Sequence, residues 1–251
     1  CEEQGDSEAA ETCYRSALRH AEAALPDDEP PNRERFAAAA QALGLFVGRR
    51  GDLTEGILLL QRGHRLLTSH ESFDPDDVQC ERVVARLERS LADLHLRDGD
   101  ADRARTMAAA ALERTRTLLR KAPEYRVLSR DLGLAHVLLG RLAALANDEA
   151  TMERELGEAL TAARARFAHQ DGVRERRELA ETHSTLAELR CTIANEQIDA
   201  RERGRLYLAA ARALQEKQEL LRPLADARLL APPLQHDFEL GAALLQQLQT
   251  E

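Results

Sequence analysis

Residues 51–63 read GDLTEGILLLQRG, and this stretch decides the fold because it returns. Residues 5–17 read GDSEAAETCYRSA, residues 99–111 GDADRARTMAAAA and residues 147–159 NDEATMERELGEA. The starts lie 46, 48 and 48 residues apart. A weaker echo, NEQIDARERGRLY, begins a further 48 residues on, at Asn195. A period of this length marks an array of supersecondary units rather than one closed core.

Each copy opens on a turn and runs into a helix. Glycine tolerates the left-handed backbone that ends one helix, and the Asp after it can cap the next. Outside the turns, Ala, Leu, Arg and Glu dominate, all good helix formers. Apolar residues recur at three and four spacing: Leu87, Leu91 and Leu94 in one segment, Leu128, Leu132, Ala135 and Leu139 in another. No stretch alternates with period two, so strands are not expected.

The other set of turns is marked by Pro26, Pro30 and Pro31, by Pro75 and Pro123, by Asp171–Gly172, and by Pro232 and Pro233. The spacing predicts helices over 7–25, 33–49, 53–69, 76–97, 101–121, 124–146, 149–168, 173–194, 200–222 and 234–248, with Asp76 as an N-cap. They pair into four full hairpins, at 33–69, 76–121, 124–168 and 173–222. Helix 7–25 reads as the second helix of a hairpin whose first lies upstream, and 234–248 as a solvating cap. The chain carries no initiator Met and opens inside a repeat. It therefore reads as a single repeat domain, 1–251, cut from a larger protein.

Small residues recur in register. Ala10, Gly56, Ala104, Met152 and Ala200 fall five residues after each turn glycine or asparagine. Ala17, Gly63, Ala111, Ala159 and Tyr207 fall twelve after. Gly44, Ala92 and Gly140 fall seven before, with Ala187 one residue out of step. Small side chains at one place per helix let neighbouring helices approach closely.

Leu43–Gly44, then Gly51–Asp52, Gly56 and Gly63, resembles the tetratricopeptide (TPR) pattern. The same frame fits Leu91–Ala92, Gly99–Asp100, Ala104 and Ala111, and again Leu139–Gly140, Asn147–Asp148, Met152 and Ala159. The period exceeds the usual 34 residues by about 14, roughly two helical turns per helix. Ala40, Glu88 and His136 stand where that family usually places an aromatic. The resemblance implies an all-α, right-handed superhelical solenoid of antiparallel helix hairpins with a concave groove. A HEAT-type array is the alternative, but it has no need of the recurrent Gly-Asp turn. The runs SRDLGLAHVLLGRLAALANDEATMERELGEAL and LLRPLADARLLAPP also resemble the TPR tails of bacterial serine/threonine protein kinases. That likeness implies a sensory or scaffold segment of a bacterial signalling protein, cytoplasmic, or periplasmic if tethered to a transmembrane kinase. No Gly-rich loop, DFG or HRD occurs, only Ser129-Arg130-Asp131 within a helical pattern.

Composition narrows the function classes. The net charge of −9 repels phosphate backbones, and aromatics make up only 3% with no Trp, so a broad nucleic-acid face or stacking platform is not expected. No apolar run reaches the ~18–20 residues of a membrane helix. Cys1, Cys13, Cys80 and Cys191 have no metal or redox spacing. No P-loop, GxGxxG, GxSxG or HExxH is present, and no cofactor is expected. His136 and His183 hold nearly equivalent repeat positions and could neighbour one another, although packed helix histidines are the plainer reading.

The expectation is a non-catalytic scaffold that holds a protein or peptide partner in its groove. The residues facing away from the packing stripe on the first helices are Gln41, Arg49, Arg86, Arg89, Asp93, Arg97, Arg141, Glu181, Ser184 and Glu188. Their basic middle suits an acidic segment, since arginine pairs bidentately with carboxylates. Arg89 and Asp93, four apart, could instead pair along the helix. Two alternatives are a spacer or oligomerisation module, dimerising through an exposed end, and a helical-array enzyme with a hidden active site.

Overall fold

A computed structural model describes residues 7–27, 29–69, 77–170 and 172–230, with 235–236, 238–240 and 242–243 beyond them. Among these residues there are nine α-helices and no strand. They are α1 (Ser7–Ala23), α2 (Pro30–Arg49), α3 (Leu53–Thr68), α4 (Val78–Arg97), α5 (Ala101–Lys121), α6 (Arg126–Leu145), α7 (Glu149–His169), α8 (Val173–Glu196) and α9 (Ala200–Asp226). The expected cap at 234–248 and the N-cap at Asp76 lie largely or wholly outside the described residues. No described helix is long and apolar enough to cross a membrane.

The Gly-Asp joint works at both of its ends. Gly51 and Gly99 adopt φ of +104° and +84°, and Asn147 takes +57°. Past each, the main-chain N–H of the Asp reaches back to close the finished helix: Asp52 to Val47 O at 3.1 Å, Asp100 to His95 O and Asp148 to Ala143 O at 2.9 Å. The same residue's carboxylate then accepts the N–H of Glu55, Arg103 or Thr151 and opens the next helix.

Three expectations need correction. Pro30 and Pro31 form the first turn of α2 instead of preceding it, because a first-turn residue has no intrahelical use for an N–H. Asp77 caps α4, accepting from Gln79 and Cys80. The echo at Asn195 is not a turn: α8 runs through Glu196, about one turn longer than α4 or α6, and Asp199 caps α9. Ala200 and Tyr207 therefore leave the small-residue frame, and Ala210, eleven after the capping Asp as Gly63, Ala111 and Ala159 are, takes the buried place.

By backbone packing the chain divides into two compact units, Cys1–Asp131 and Leu132–Glu251. In the first, each helix from α1 to α5 packs on its sequence neighbours, and α2 also packs on α4. First helices of successive hairpins thus lie side by side, as an all-α solenoid-type array requires. A Cβ on Gly44 would sit 2.9 Å from Gly56 O, and one on Gly63 would sit 3.2 Å from Ala37 Cα. The descending pairing of 37 with 63 and 44 with 56 makes α2 and α3 antiparallel, with backbones in near contact. Phe36, Leu43 and Phe46 pack with Ala10 and Leu18 of α1. Leu60 and Leu67 pack with Val84, Leu87, Leu91 and Leu94 of α4. Leu118 of α5 and Ala122, its C-cap, hold Leu128 at the start of α6.

In the second unit, Gly140 lies so close to α7 that a Cβ would meet Leu156 Cγ at 2.9 Å. Met152, Leu156, Leu186, Ile193, Leu206, Ala210 and Leu214 form the core joining α7, α8 and α9. Leu132 and Leu139 are only half-buried, whereas Leu138 and Leu142 are buried. The packing stripe of α6 thus keeps Leu128 and Ala135 of the expected set and takes Leu138 and Leu142 in place of Leu132 and Leu139.

Candidate functional site

Helix α4 presents three chemically different sides. Val84, Leu87, Leu91 and Leu94 form the apolar side. A second side carries Glu81 and Glu88, 6% and 4% exposed. Arg114 of α5 meets both carboxylates, bidentately at Glu88 with Nε–Oε2 of 3.1 Å and Nη2–Oε1 of 3.0 Å. His64 of α3 approaches Glu88 at 3.4 Å. Burial alone would raise the Glu88 pKa, but the hydrogen bonds from His64 and Arg114 hold it below the usual carboxylate range. This acidic side is therefore compensated within the fold.

The third side is basic. Arg82, Arg86, Arg89 and Asp93 fall at four, three and four spacing, hence on one face. The start of α6 adds Arg130 and Asp131. Arg82 Nε donates to Asp131 Oδ2 at 3.0 Å, and Asp131 is 6% exposed. Arg86 and Arg89 are half-buried and make no ion pair among the described residues, and the Arg89 Nε–H is buried without an acceptor. Burial pulls Arg86 below the usual arginine range. Asp131 opposes this, while Arg82 and Arg130 reinforce it. Arg89 is lowered in the same way, by burial first, with Arg86 and Arg130 adding to it and Asp131 and Asp93 opposing. The charges of Arg82, Arg130 and Asp131 thus all act on Arg86, and Arg82 holds the buried Asp131 carboxylate.

The backbone beneath them is pinned. Gln41 of α2 donates its amide to Arg86 O at 3.1 Å and to Ser90 Oγ at 2.8 Å, and Ser90 Oγ in turn donates to Arg86 O at 2.8 Å. Gln41 is buried at 4% exposure. It is therefore a strut between α2 and α4 and not a groove-facing ligand, which corrects the expectation.

The other expected site residues divide between the two units. Arg86, Arg89 and Asp93 share one face of α4; Arg49 and Arg97 lie exposed in the last turns of α2 and α4. Arg141, Glu181, Ser184 and Glu188 belong to the second unit. There Ser184 Oγ accepts from Lys217 Nζ of α9 at 3.2 Å and donates to Glu188 at 3.3 Å, so it is a contact between α8 and α9. Arg89 makes no ion pair with Asp93. Arg82, Ser90, Arg130 and Asp131 were not singled out by sequence. Arg82 could have been, as it continues the same face one turn back, while Asp131 showed only inside the Ser129-Arg130-Asp131 string.

His136 and His183 have different surroundings. His136 Nδ1 meets Glu155 Oε2 at 2.8 Å. His183 is buried, its Nδ1 has no partner, and burial, aided by Arg164 and Arg190, lowers its pKa to about 4. No group of three metal-ligating side chains occurs among the described residues.

No family model and no curated protein matches the sequence. In fold the chain is similar to the crystal structure of BtubC (BKLC) from P. vanneervenii, with a TM-score of 0.53 and 14% identity over 98% of this chain and 90% of that one. At that identity the likeness concerns the fold alone.

Proposed function

We propose that this chain is a non-catalytic, TPR-like binding module, a scaffold or sensory segment of a bacterial signalling protein, whose α4 arginine face receives an acidic segment of a partner protein. The observation that carries the reading is the uncompensated pair Arg86 and Arg89. Buried cations are costly unless partnered. A protein of net charge −9 that keeps two half-buried guanidiniums without ion pairs has donors in place for an incoming anion. The fold supports the same role, since stacked hairpins offer their first helices as a continuous surface.

The test is fluorescence anisotropy of labelled Asp/Glu-rich peptides against the full chain and against Arg86→Gln/Arg89→Gln. Losing two charge-assisted contacts should weaken the tightest acidic peptide by about tenfold or more, with helical circular dichroism unchanged. Affinity should also fall with added salt. Equal affinity for both proteins would defeat the proposal and leave the spacer or oligomerisation role.

A further inference from the structure

We infer that the outer face of α1 docks α1 of a second copy of this chain, the two helices packing antiparallel about a two-fold axis beside Cys13. The other second helices show what such a face holds. In α3, a Cβ on Gly63 would lie 3.2 Å from Ala37 Cα of α2, and Leu59 Cβ lies 3.4 Å from the place of a Cβ on Gly44 of α2. In α7, Ala159 O lies 3.7 Å from the place of a Cβ on Gly133 of α6. Ala111 and Ala159 are each 1% exposed. Each of these positions is closed.

Helix α1 stands in the same frame and packs on α2 through Ala10 and Leu18. Yet Ala17, which corresponds to Gly63, is exposed, and so is Cys13, which corresponds to Leu59. The face that elsewhere receives a helix at close range has no helix on it among the described residues.

Charge selects a second copy as the occupant. Glu11, Arg15 and Glu22 of α1 pair within the first unit, with Arg50, Glu55 and Arg62. Glu8 and Arg19 are exposed and make no ion pair among the described residues. They lie eleven residues apart in the chain, about three turns, and so on one edge of the helix. Their midpoint falls between Cys13 and Tyr14. A two-fold axis there sets Glu8 of each copy against Arg19 of the other, whereas a parallel pairing would oppose like charges. The contact is self-complementary, so it closes at two copies. A face one helix long, about 25 Å at 1.5 Å per residue, is smaller than a standard interface, so the dimer is weak and reversible.

The experiment uses the full chain carrying Cys1→Ser. Sedimentation velocity at protein concentrations up to about 1 mM should show a monomer–dimer equilibrium that added salt weakens. A short bismaleimide should join Cys13 to Cys13, as mass spectrometry of the cross-linked peptide reads. Ala17→Arg should be monomeric with unchanged helical circular dichroism. Glu8→Arg and Arg19→Glu should each raise the dimer Kd by about fivefold or more, because each turns two attractions into two repulsions. The double exchange Glu8→Arg/Arg19→Glu should restore the native value. A chain that stays monomeric throughout would overturn the inference and leave the face to a helix of another protein or of a preceding segment. A dimer that survives in folded Ala17→Arg without a Cys13 cross-link would lie on another surface and overturn it too. Single exchanges that the double exchange fails to rescue would overturn the antiparallel pairing. If Ala17→Arg loses its helical signal, the cross-link and the charge exchange decide.

Discussion

The side-chain amide of Gln41 on α2 donates to the main-chain carbonyl of Arg86 on α4 across 3.1 Å, and to Ser90 Oγ across 2.8 Å. One buried amide therefore sets the spacing of two first helices and the seating of an arginine of the candidate site. Gln41→Leu keeps the volume and removes both bonds. It should cost about 1–3 kcal/mol in urea unfolding, the sum of two buried hydrogen bonds. The same variant should weaken anion binding although it removes no charge. A stability loss under about 0.5 kcal/mol would show that the strut is dispensable.

The glycines divide by what surrounds them. A Cβ on Gly56 would lie 2.7 Å from Gly44 O and 2.9 Å from Leu94 Cδ1, whereas nothing lies within 4 Å of a Cβ on Gly157 of α7. Gly56→Ala should destabilise by about 1–3 kcal/mol through overpacking. Gly157→Ala should stabilise by up to about 1 kcal/mol through helix propensity. Thermal melts of the two variants check the opposite signs, and a shared sign would refute the close approach of α2 and α3.

Arg114 neutralises two buried carboxylates at once. Arg114→Leu should cost about 3–5 kcal/mol at neutral pH, because Glu81 and Glu88 stay buried and lose their shared guanidinium. In the native protein Glu88 is held below its ordinary value of 4.5, so its contribution is present above that pH and lost as pH falls. In the variant only His64 still opposes burial at Glu88, so its pKa lies higher than in the native protein and protonation relieves the fault. The gap between the two proteins should narrow as pH is lowered towards 4. A gap that stays constant would mean the carboxylates are hydrated.

His183 should leave a mark on the acid limb of stability. Its folded pKa is lowered from 6.5 to about 4, so over that window the unfolded chain takes up a proton the folded one refuses. Stability should therefore fall as pH drops from about 6.5 to about 4, and His183→Gln should flatten that part of the curve. Urea midpoints at half-unit pH intervals measure it, and superimposable profiles would show that His183 reaches solvent.

The features most legible in sequence were those set within a few residues. Gly51, Gly99 and Asn147 declared left-handed positions, and Asp52, Asp100 and Asp148 declared caps, because both depend on local backbone chemistry. Gly44 and Gly56 were legible because a small residue on each helix at matching distance from a turn has few other uses. Gln41 was misread for a long-range reason. Its polarity suggested solvent, but α2 lies against α4, and only that packing supplies Arg86 O and Ser90 Oγ as partners. Ser184 was misread alike, since Lys217 approaches it from α9. On α6, three-and-four spacing admits both Leu139 and the buried pair Leu138 and Leu142, and rotation about the helix axis is settled by its neighbours. The arginine face was visible in part: Arg86 and Arg89 showed by spacing, whereas Asp131 became meaningful only when the fold placed it beside Arg82.

Asp52, Asp100 and Asp148 each close one helix with the main chain and open the next with the side chain. Such a joint has no spare length. One inserted residue would release both helix ends together, so these three corners should reject insertions and tags. The α8–α9 corner is made differently: Gln197 and Asp199 are extended, Ile198 points out at 97% exposure, and Asp199 performs the opening task alone. Length can change there with only one helix end at stake. For anyone extending, labelling or circularly permuting this protein, Ile198 is the place to cut.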